Sequence, residues 1–502
     1  MKKIILTSLM IGSVLTGKAQ LHPGFKDFDV AAGLASSNPV YLEGVGAKLY
    51  FFATDGSIGR EPHYVEGAGI PSLIKDINPG TNPSIDNDYL KPAAYMNGKY
   101  YFTSDNGFTG QEMYMYDGTN APAIVFDPNF GPDSSRPDNY TVLDNKLYYS
   151  AITGGEGREL WVYDGSNNPT RLTDINAGPA NSISGPAIAF ANKVYFVCST
   201  PQYGTELWSY NPLTNTAALE VDIDTGAASS NPANLTVIGN KMYFSATTFL
   251  HGRELYVYDG NSPAQRLTDI SADALSSLSP VRNNAFAFYK GKIYFNGKDT
   301  SGEGHLWSYD PAGGAVTLEH KVNPNGDASP REFVVYNNRL FFTVNDGANG
   351  FELYAYDGTN PPAIIGDLCA GPNSSLPSDL TPVGNELYFA ANNCNNSGID
   401  LFSYNHERVG IRNVLFDADV RIYPNPVDKE LHIDMNLKRD ERLQIRLADI
   451  SGRNIYDGSL LPYSTGKNKT DIPMKNLPPG NYIYYITNQE GTTYLTGKVV
   501  KQ

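Results

Sequence analysis

Gly157-Arg158-Glu159-Leu160-Trp161-Val162-Tyr163-Asp164-Gly165 is a phrase that this chain repeats. Near-copies begin at Gly59, Gly110, Gly204, Gly252, Gly304, Gly350 and Gly398, making eight in all. A second phrase, Lys146-Leu147-Tyr148-Tyr149, also occurs eight times, with its third residue at Tyr50, Tyr101, Tyr148, Tyr195, Tyr243, Tyr294, Phe341 and Tyr388. The steps between those positions are 51, 47, 47, 48, 51, 47 and 47 residues. Units of this length that cannot bury their own apolar faces must stack into one array.

Each unit reads as four strands. In the third, Tyr140–Leu143 is followed by a tight turn and then by Leu147–Ala151, a nearly continuous apolar run that suits a strand covered on both faces. After a Gly-rich turn, Glu159–Tyr163 forms the third strand and Arg171–Ile175 the fourth. From the second-strand aromatic to the third-strand acid is 11 residues in seven units and 12 in the last, Tyr388 to Asp400. A hairpin register imposes such constancy, because a slip of one residue reverses every side chain. Antiparallel four-stranded units of 40 to 50 residues are the signature of propeller blades. The reading is all-β, an eight-bladed β-propeller over 20–415 followed by a small Ig-like β-sandwich over 416–502.

The last copy lacks the Asp-Ile-Asn tail of a fourth strand. Asp27-Phe28-Asp29-Val30, near the start, resembles that tail, so residues 25–30 are expected to supply the outer strand of the last blade. The alternative supplier is 410–416.

The Glu-Leu-Trp-x-x-Asp-Gly phrase, with Asp-Ile-Asn-x-Gly downstream, resembles the ELWxxDGT repeats of bacterial secreted proteins across about residues 25–405. That family implies a propeller-like array and no settled activity. A further set of motifs follows the repeats: Tyr423-Pro424-Asn425-Pro426, Asp449-x-x-Gly452, Leu477-x-x-Gly480-x-Tyr482 and a Gly497-Lys498-Val499-Val500-Lys501 end. In that order they resemble the C-terminal sorting domain of the type IX secretion system of Bacteroidetes. The resemblance implies passage through the outer-membrane translocon and release or surface attachment of the cargo, with the secretion machinery as partner of 416–502. At the other end, Lys2-Lys3, an apolar run from Ile4 to Leu15 and Gly17-Lys18-Ala19 read as a signal peptide over 1–19. The run is too short to span a bilayer, so no transmembrane segment is expected.

Net charge of −15 argues against nucleic acid as a partner, since its phosphates call for a basic face. Neither HExxH, GxSxG nor a Walker loop occurs, so no catalytic or cofactor-binding residue is assigned. The third-strand acids, Glu159 and Glu254 among them, and the fourth-strand acids, Asp174 and Asp222 among them, should gather on one face of the disk. A ring of calcium sites is one use for them. Acceptance of backbone N–H groups in tight turns is the commoner one. The sixth unit departs from both sets, with His305 and Lys321 in their places. On the opposite face, Lys48, Lys99, Lys146, Lys241 and their counterparts are expected to pair with the acids that end the third strands, such as Asp117, Asp164 and Asp259. Cys369 and Cys394 should share a face and form a disulfide, while Cys198 reads as a buried apolar residue. Trp161, Trp208 and Trp307 are expected between blades. The functional expectation is an exported binding or adhesion scaffold for a glycan or protein ligand. Its rivals are a secreted hydrolase or lyase acting on polysaccharide or peptide, and a structural envelope component.

Overall fold

The computed structural model describes residues 24–28, 30–31, 36–271, 275–279, 284–392, 394, 398–406, 418–449, 454–488 and 493–502. The expected signal segment at 1–19 and the alternative closing strand at 410–416 lie outside them. Two compact units are present, Lys26–Tyr404 and Asn405–Gln502. Among the described residues every regular element of four or more residues is a β-strand, and there is no helix long and apolar enough to cross a membrane.

The first unit is a propeller-like array. Eight antiparallel sheets of four strands occur among its described residues. The third is representative, with strands Asp138–Leu143, Lys146–Thr153, Gly157–Tyr163 and Thr170–Arg171 side by side. Each second strand is the buried centre of its sheet, as its apolar run demands. Leu147 to Ala151 are all buried, as are Val194 to Cys198. Ala53 faces Glu61, Ala151 faces Glu159, and Ala391 faces Asp400 across the central hairpins. The extra residue of the last unit therefore falls in the turn, and register is preserved.

Three of the fourth strands are shorter than the sequence pattern implies, while Thr216–Val221 and Val316–His320 run to six and five residues. The expected Arg171–Ile175 is only Thr170–Arg171, and Ser72–Leu73 and Gln265–Arg266 are equally brief. Short outer strands leave little unpaired edge for another chain to join.

The innermost strand of each sheet packs beside that of the next, and the eighth, Ser378–Val383, packs beside the first, Val40–Val45. The row of sheets thus returns on itself. Apolar cores lie between sheets. One combines Met96, Tyr101 and Met113 of the second sheet with Tyr149 and Trp161 of the third. Another combines Tyr148 and Leu160 of the third with Phe196 and Trp208 of the fourth. Leu401 and Tyr388 of the eighth sheet share a core with Leu49 and Phe51 of the first. Phe25–Phe28 is the outer strand of the eighth sheet, beside Ile399–Tyr404. Strands from the two ends of the array are thus hydrogen-bonded in one sheet.

In the second unit, a three-stranded sheet (Ala418–Tyr423, Glu430–Leu437, Gly466–Pro473) and a five-stranded one (Glu441–Asp449, Asn454–Asp457, Leu461–Tyr463, Gly480–Asn488, Thr493–Lys501) are present. Alternation is clean along Glu430–Leu437, where Leu431, Ile433, Met435 and Leu437 enter a core with Ile445, Leu447, Ile472 and Tyr482. Asn425 of the Tyr-Pro-Asn-Pro motif accepts the Val500 N–H through Oδ1 at 2.9 Å and donates to the Lys498 carbonyl at 3.1 Å. The first motif of this unit is pinned to its last.

Candidate functional site

The recurrent third-strand acids are wholly enclosed, and their hydrogen bonds reach the entry to the next sheet. Glu112 of the second sheet accepts the N–H of Ser135 at 2.8 Å and its hydroxyl. Glu206 accepts the Ser230 N–H at 2.7 Å and the Ile223 N–H at 3.1 Å. Glu254 accepts the Ser277 N–H at 3.0 Å and the Thr268 hydroxyl at 2.6 Å. Glu159 takes the hydroxyls of Thr173 and Ser182, and Glu352 takes the N–H groups of Ser375 and Leu368. The same serine passes its carbonyl onward. Ser182, for example, accepts the Ser199 N–H of the fourth sheet. Every such serine therefore holds two sheets together. At the closure, Asp400 accepts both the N–H and the hydroxyl of Ser37, 363 positions away in sequence.

This clamp explains the glycine that opens each phrase. Gly157 has φ of 67°, and a Cβ there would lie 2.2 Å from the Ala180 carbonyl oxygen, so only glycine lets the connecting segment pass. Burial pushes the carboxyls of Glu61, Glu112 and Glu352 up to about 7 against the hydrogen bonds that lower them. Glu159, Glu206 and Glu254 are raised by the same cause.

Sequence reasoning missed the serines. Their signal is a fixed offset. Ser84, Ser135, Ser182, Ser277 and Ser375 each follow their acid by 23 residues, and Ser230 follows Glu206 by 24. In the sixth unit that offset from His305 reaches Ala328, so both halves of the clamp are replaced together.

Of the calcium candidates, Glu159 and Glu254 lie in clamps. Asp174 sits 3.5 Å from Arg171, and Asp222 accepts the Gly226 N–H at 3.2 Å. Cys369 and Cys394 are joined, with Cα atoms 5.2 Å apart, and Cys198 is a buried free thiol. The expected lysine–aspartate pairs on the opposite face are replaced by other partners. Asp117, Asp164 and Asp259 each accept N–H groups two and three residues ahead, capping their own turns. Lys193 and Lys292 instead pair with Glu220 at 2.6 Å and Glu319 at 2.8 Å, on the fourth strand of the same sheet, across the third. A donor two residues away in the same turn is closer and costs less side-chain entropy than a lysine across the hairpin.

Where the innermost strands meet, a cavity of about 670 Å³ opens. All eight sheets line it, through Tyr41, Lys91, Asn139, Ile188, Asn234, Phe286, Val334 and Asp379. Its wall is strained. Tyr41, Asn139, Asn234 and Asp379 hold φ between 55° and 60°, each inside an irregularity of strand register. Asparagine and aspartate tolerate this conformation, but tyrosine pays for it, at about 1–2 kcal/mol. Two half-buried acids stand here, Glu43 in the wall and Glu332 next to its Asp379. Burial holds Glu43 above the usual carboxylate range, with Lys91 opposing, and lifts Glu332 to about 8, helped by the nearby Asp379.

Residues 421–502 match the family model described as the secretion system C-terminal sorting domain. The chain is accordingly exported by the type IX secretion system to the cell surface or the extracellular space. A search of curated proteins finds no significant match. Among solved structures, the chain is similar to PorZ, a surface component of the type IX secretion system of Porphyromonas gingivalis. Identity is 13%, with 93% of this chain and 70% of PorZ covered, at a TM-score of 0.43. It is also similar to a prolyl endopeptidase, at 8% identity, 81% and 55% coverage and a TM-score of 0.48. The β-propeller domain of the Trilobed protease from Pyrococcus furiosus aligns at 12% identity, 63% and 95% coverage and a TM-score of 0.37. The chain spans about half the length of the endopeptidase it matches. Identities this low speak of fold alone.

Proposed function

We propose that the eight sheets are the blades of one closed eight-bladed propeller of ELWxxDGT-type repeats, and that the exported protein is a binding scaffold. In this reading residues 1–19 are a signal peptide, 20–415 the propeller and 416–502 an Ig-like sorting sandwich. The ligand is a glycan or a protein segment that enters the cavity between the innermost strands. The observation that carries the reading is the strained wall of that cavity, where Lys91, Asp379 and three asparagines stand among apolar side chains. Left-handed backbone at Tyr41 is retained at a cost, and such strain gathers at binding sites. By contrast, the repeated carboxylates are enclosed in clamps between sheets, which suits a scaffold.

Binding of the exported chain to glycan and peptide arrays tests this, with Lys91→Ala and Asp379→Ala as variants. Loss of binding without loss of folding is expected. Binding that ignores both substitutions would overturn the cavity as the site. Turnover of a bound ligand that one point substitution abolishes would replace the scaffold by a hydrolase or lyase. A second use of the fourth-strand acids rests on one feature: Oδ1 of Asp76 and of Asp222 is buried without a protein partner. Calcium would satisfy such oxygens. A chelator that leaves the melting temperature unchanged would end that reading.

A further inference from the structure

The sixth sheet breaks the repeat at both ends of its clamp, and what replaces the clamp has a chemistry of its own. We propose that Asp299, Glu303 and His305, around the turn between the second and third strands of this sheet, form a site for one divalent transition-metal ion of the zinc class. His305 has no exposed surface, and neither ring nitrogen has a hydrogen-bond partner. An imidazole buried in that state forfeits about 1–3 kcal/mol per unsatisfied group unless something occupies its lone pair. Its Nε2 faces Asp299 Oδ2 at 3.6 Å and Glu303 Oε2 at 3.8 Å, and the three ligand atoms lie within 4.8 Å of one another. Around a tetrahedral zinc with bonds of about 2.0–2.1 Å, neighbouring ligand atoms are about 3.3–3.4 Å apart. The two histidine–carboxylate distances need to contract by only a few tenths of an ångström, and the two carboxylates, already within 4.8 Å of each other, close the rest by side-chain rotation.

The carboxylate is already aimed. Asp299 Oδ1 is occupied by the Ser301 N–H at 2.9 Å and by the Ser301 hydroxyl, which leaves Oδ2 turned toward the histidine. Lys321 Nζ stands 3.3 Å from the same Oδ2 on a half-exposed side chain. Without metal it supplies the counter-charge; with metal its long stem can swing into solvent. One imidazole and two carboxylates are a zinc-type donor set, and three protein ligands leave a fourth position open. Nδ1 lacks the acceptor that tighter sites give a ligating histidine, so the affinity expected is micromolar.

Titration calorimetry of the full chain with zinc chloride tests the site. One equivalent should bind, and His305→Gln should weaken it by about tenfold or more. Glu303→Gln, at a half-exposed position that the fold does not depend on, should do the same. His432→Gln, in the exposed Glu430, His432 and Asp471 group of the second unit, should leave this binding unchanged. Lys321→Met should bind at least as tightly as the parent, because a competing cation is gone. No saturable uptake, or uptake that survives both His305→Gln and Glu303→Gln, overturns the proposal. So does a Lys321→Met variant that binds more weakly.

Discussion

Glu254, at the junction of the fifth and sixth sheets, takes the Ser277 N–H and the Thr268 hydroxyl into a fully enclosed carboxyl. At the next junction, His305 and Ala328 stand in the same two places and exchange no hydrogen bond through their side chains. The backbone half of the connection survives there: Ala328 still donates to the Gly304 carbonyl and accepts the Asn345 N–H, both at 3.0 Å. The difference teaches that a junction has two layers. Main-chain bonds and an apolar core set the geometry, and the acid–serine pair adds a removable polar bolt. A third variant occurs between the seventh and eighth sheets. Asn129 and Asn176 reach from the connecting segment to a carbonyl at the end of the next second strand. Cys369 occupies the equivalent place, two residues beyond the fourth-strand acid, and is bonded to Cys394 instead.

Breaking the bolt is expected to have the largest effect. Glu254→Ala leaves two buried donors without an acceptor and should cost about 4 kcal/mol, read as a shift in the denaturant midpoint. The same loss in Glu254→Gln would mean that the charge, and not the acceptor, holds the junction. Next comes the covalent variant. Cys369 and Cys394 are 25 residues apart, and the chain-entropy model gives about 3.5 kcal/mol for a loop of that length. Reduction should lower stability by that order, and Cys369→Asn should recover part of it by restoring the amide used elsewhere. Two free thiols on alkylation of unreduced, denatured protein in addition to Cys198 would remove the bond from the account. Installing the missing bolt is the sharper experiment. His305→Glu and Ala328→Ser should each be neutral or destabilising alone, yet show a favourable coupling of about 1–3 kcal/mol together. Strict additivity would mean that the serine hydroxyl is not the partner that matters.

Much of this architecture can be read from the repeats because hairpin register is a local property. The Ala151–Glu159 pairing is set within a dozen residues, and the turn chemistry between them is written in glycine. The kinship of Phe25–Phe28 with other fourth strands was legible for a similar reason, since one phrase was missing at one end and present at the other. The acid–serine offset was harder to see, because it joins residues of two sheets and acquires meaning only when those sheets are adjacent. Lysines that start the second strands were paired with the wrong acids. Asp117 and Asp164 have N–H donors within their own turns, and a pattern of opposite charges does not reveal that such local bonds come first. The cavity wall was invisible, because a left-handed Tyr41 or Asp379 depends on bulges that no motif announces.

A further expected effect comes from pH, and it distinguishes an enclosed acid from an ordinary one. Glu352 has an ordinary value of 4.5 and is pushed up to about 7, first by burial, against the Ser375 and Leu368 bonds that favour its charged form. A carboxyl raised in the fold binds more protons there than in the unfolded chain between those two values. Its contribution is therefore fully present below about pH 4.5, declines as pH rises toward 7, and is level above. Each pH unit in that window is about 1.4 kcal/mol per group at most. Glu352→Gln cannot ionise, so its stability should fall less than that of the parent between pH 5 and 7.5. Parallel curves for parent and variant would show that the carboxyl is ionised throughout. The donors from Ser375 and Leu368 would then outweigh the burial that opposes them.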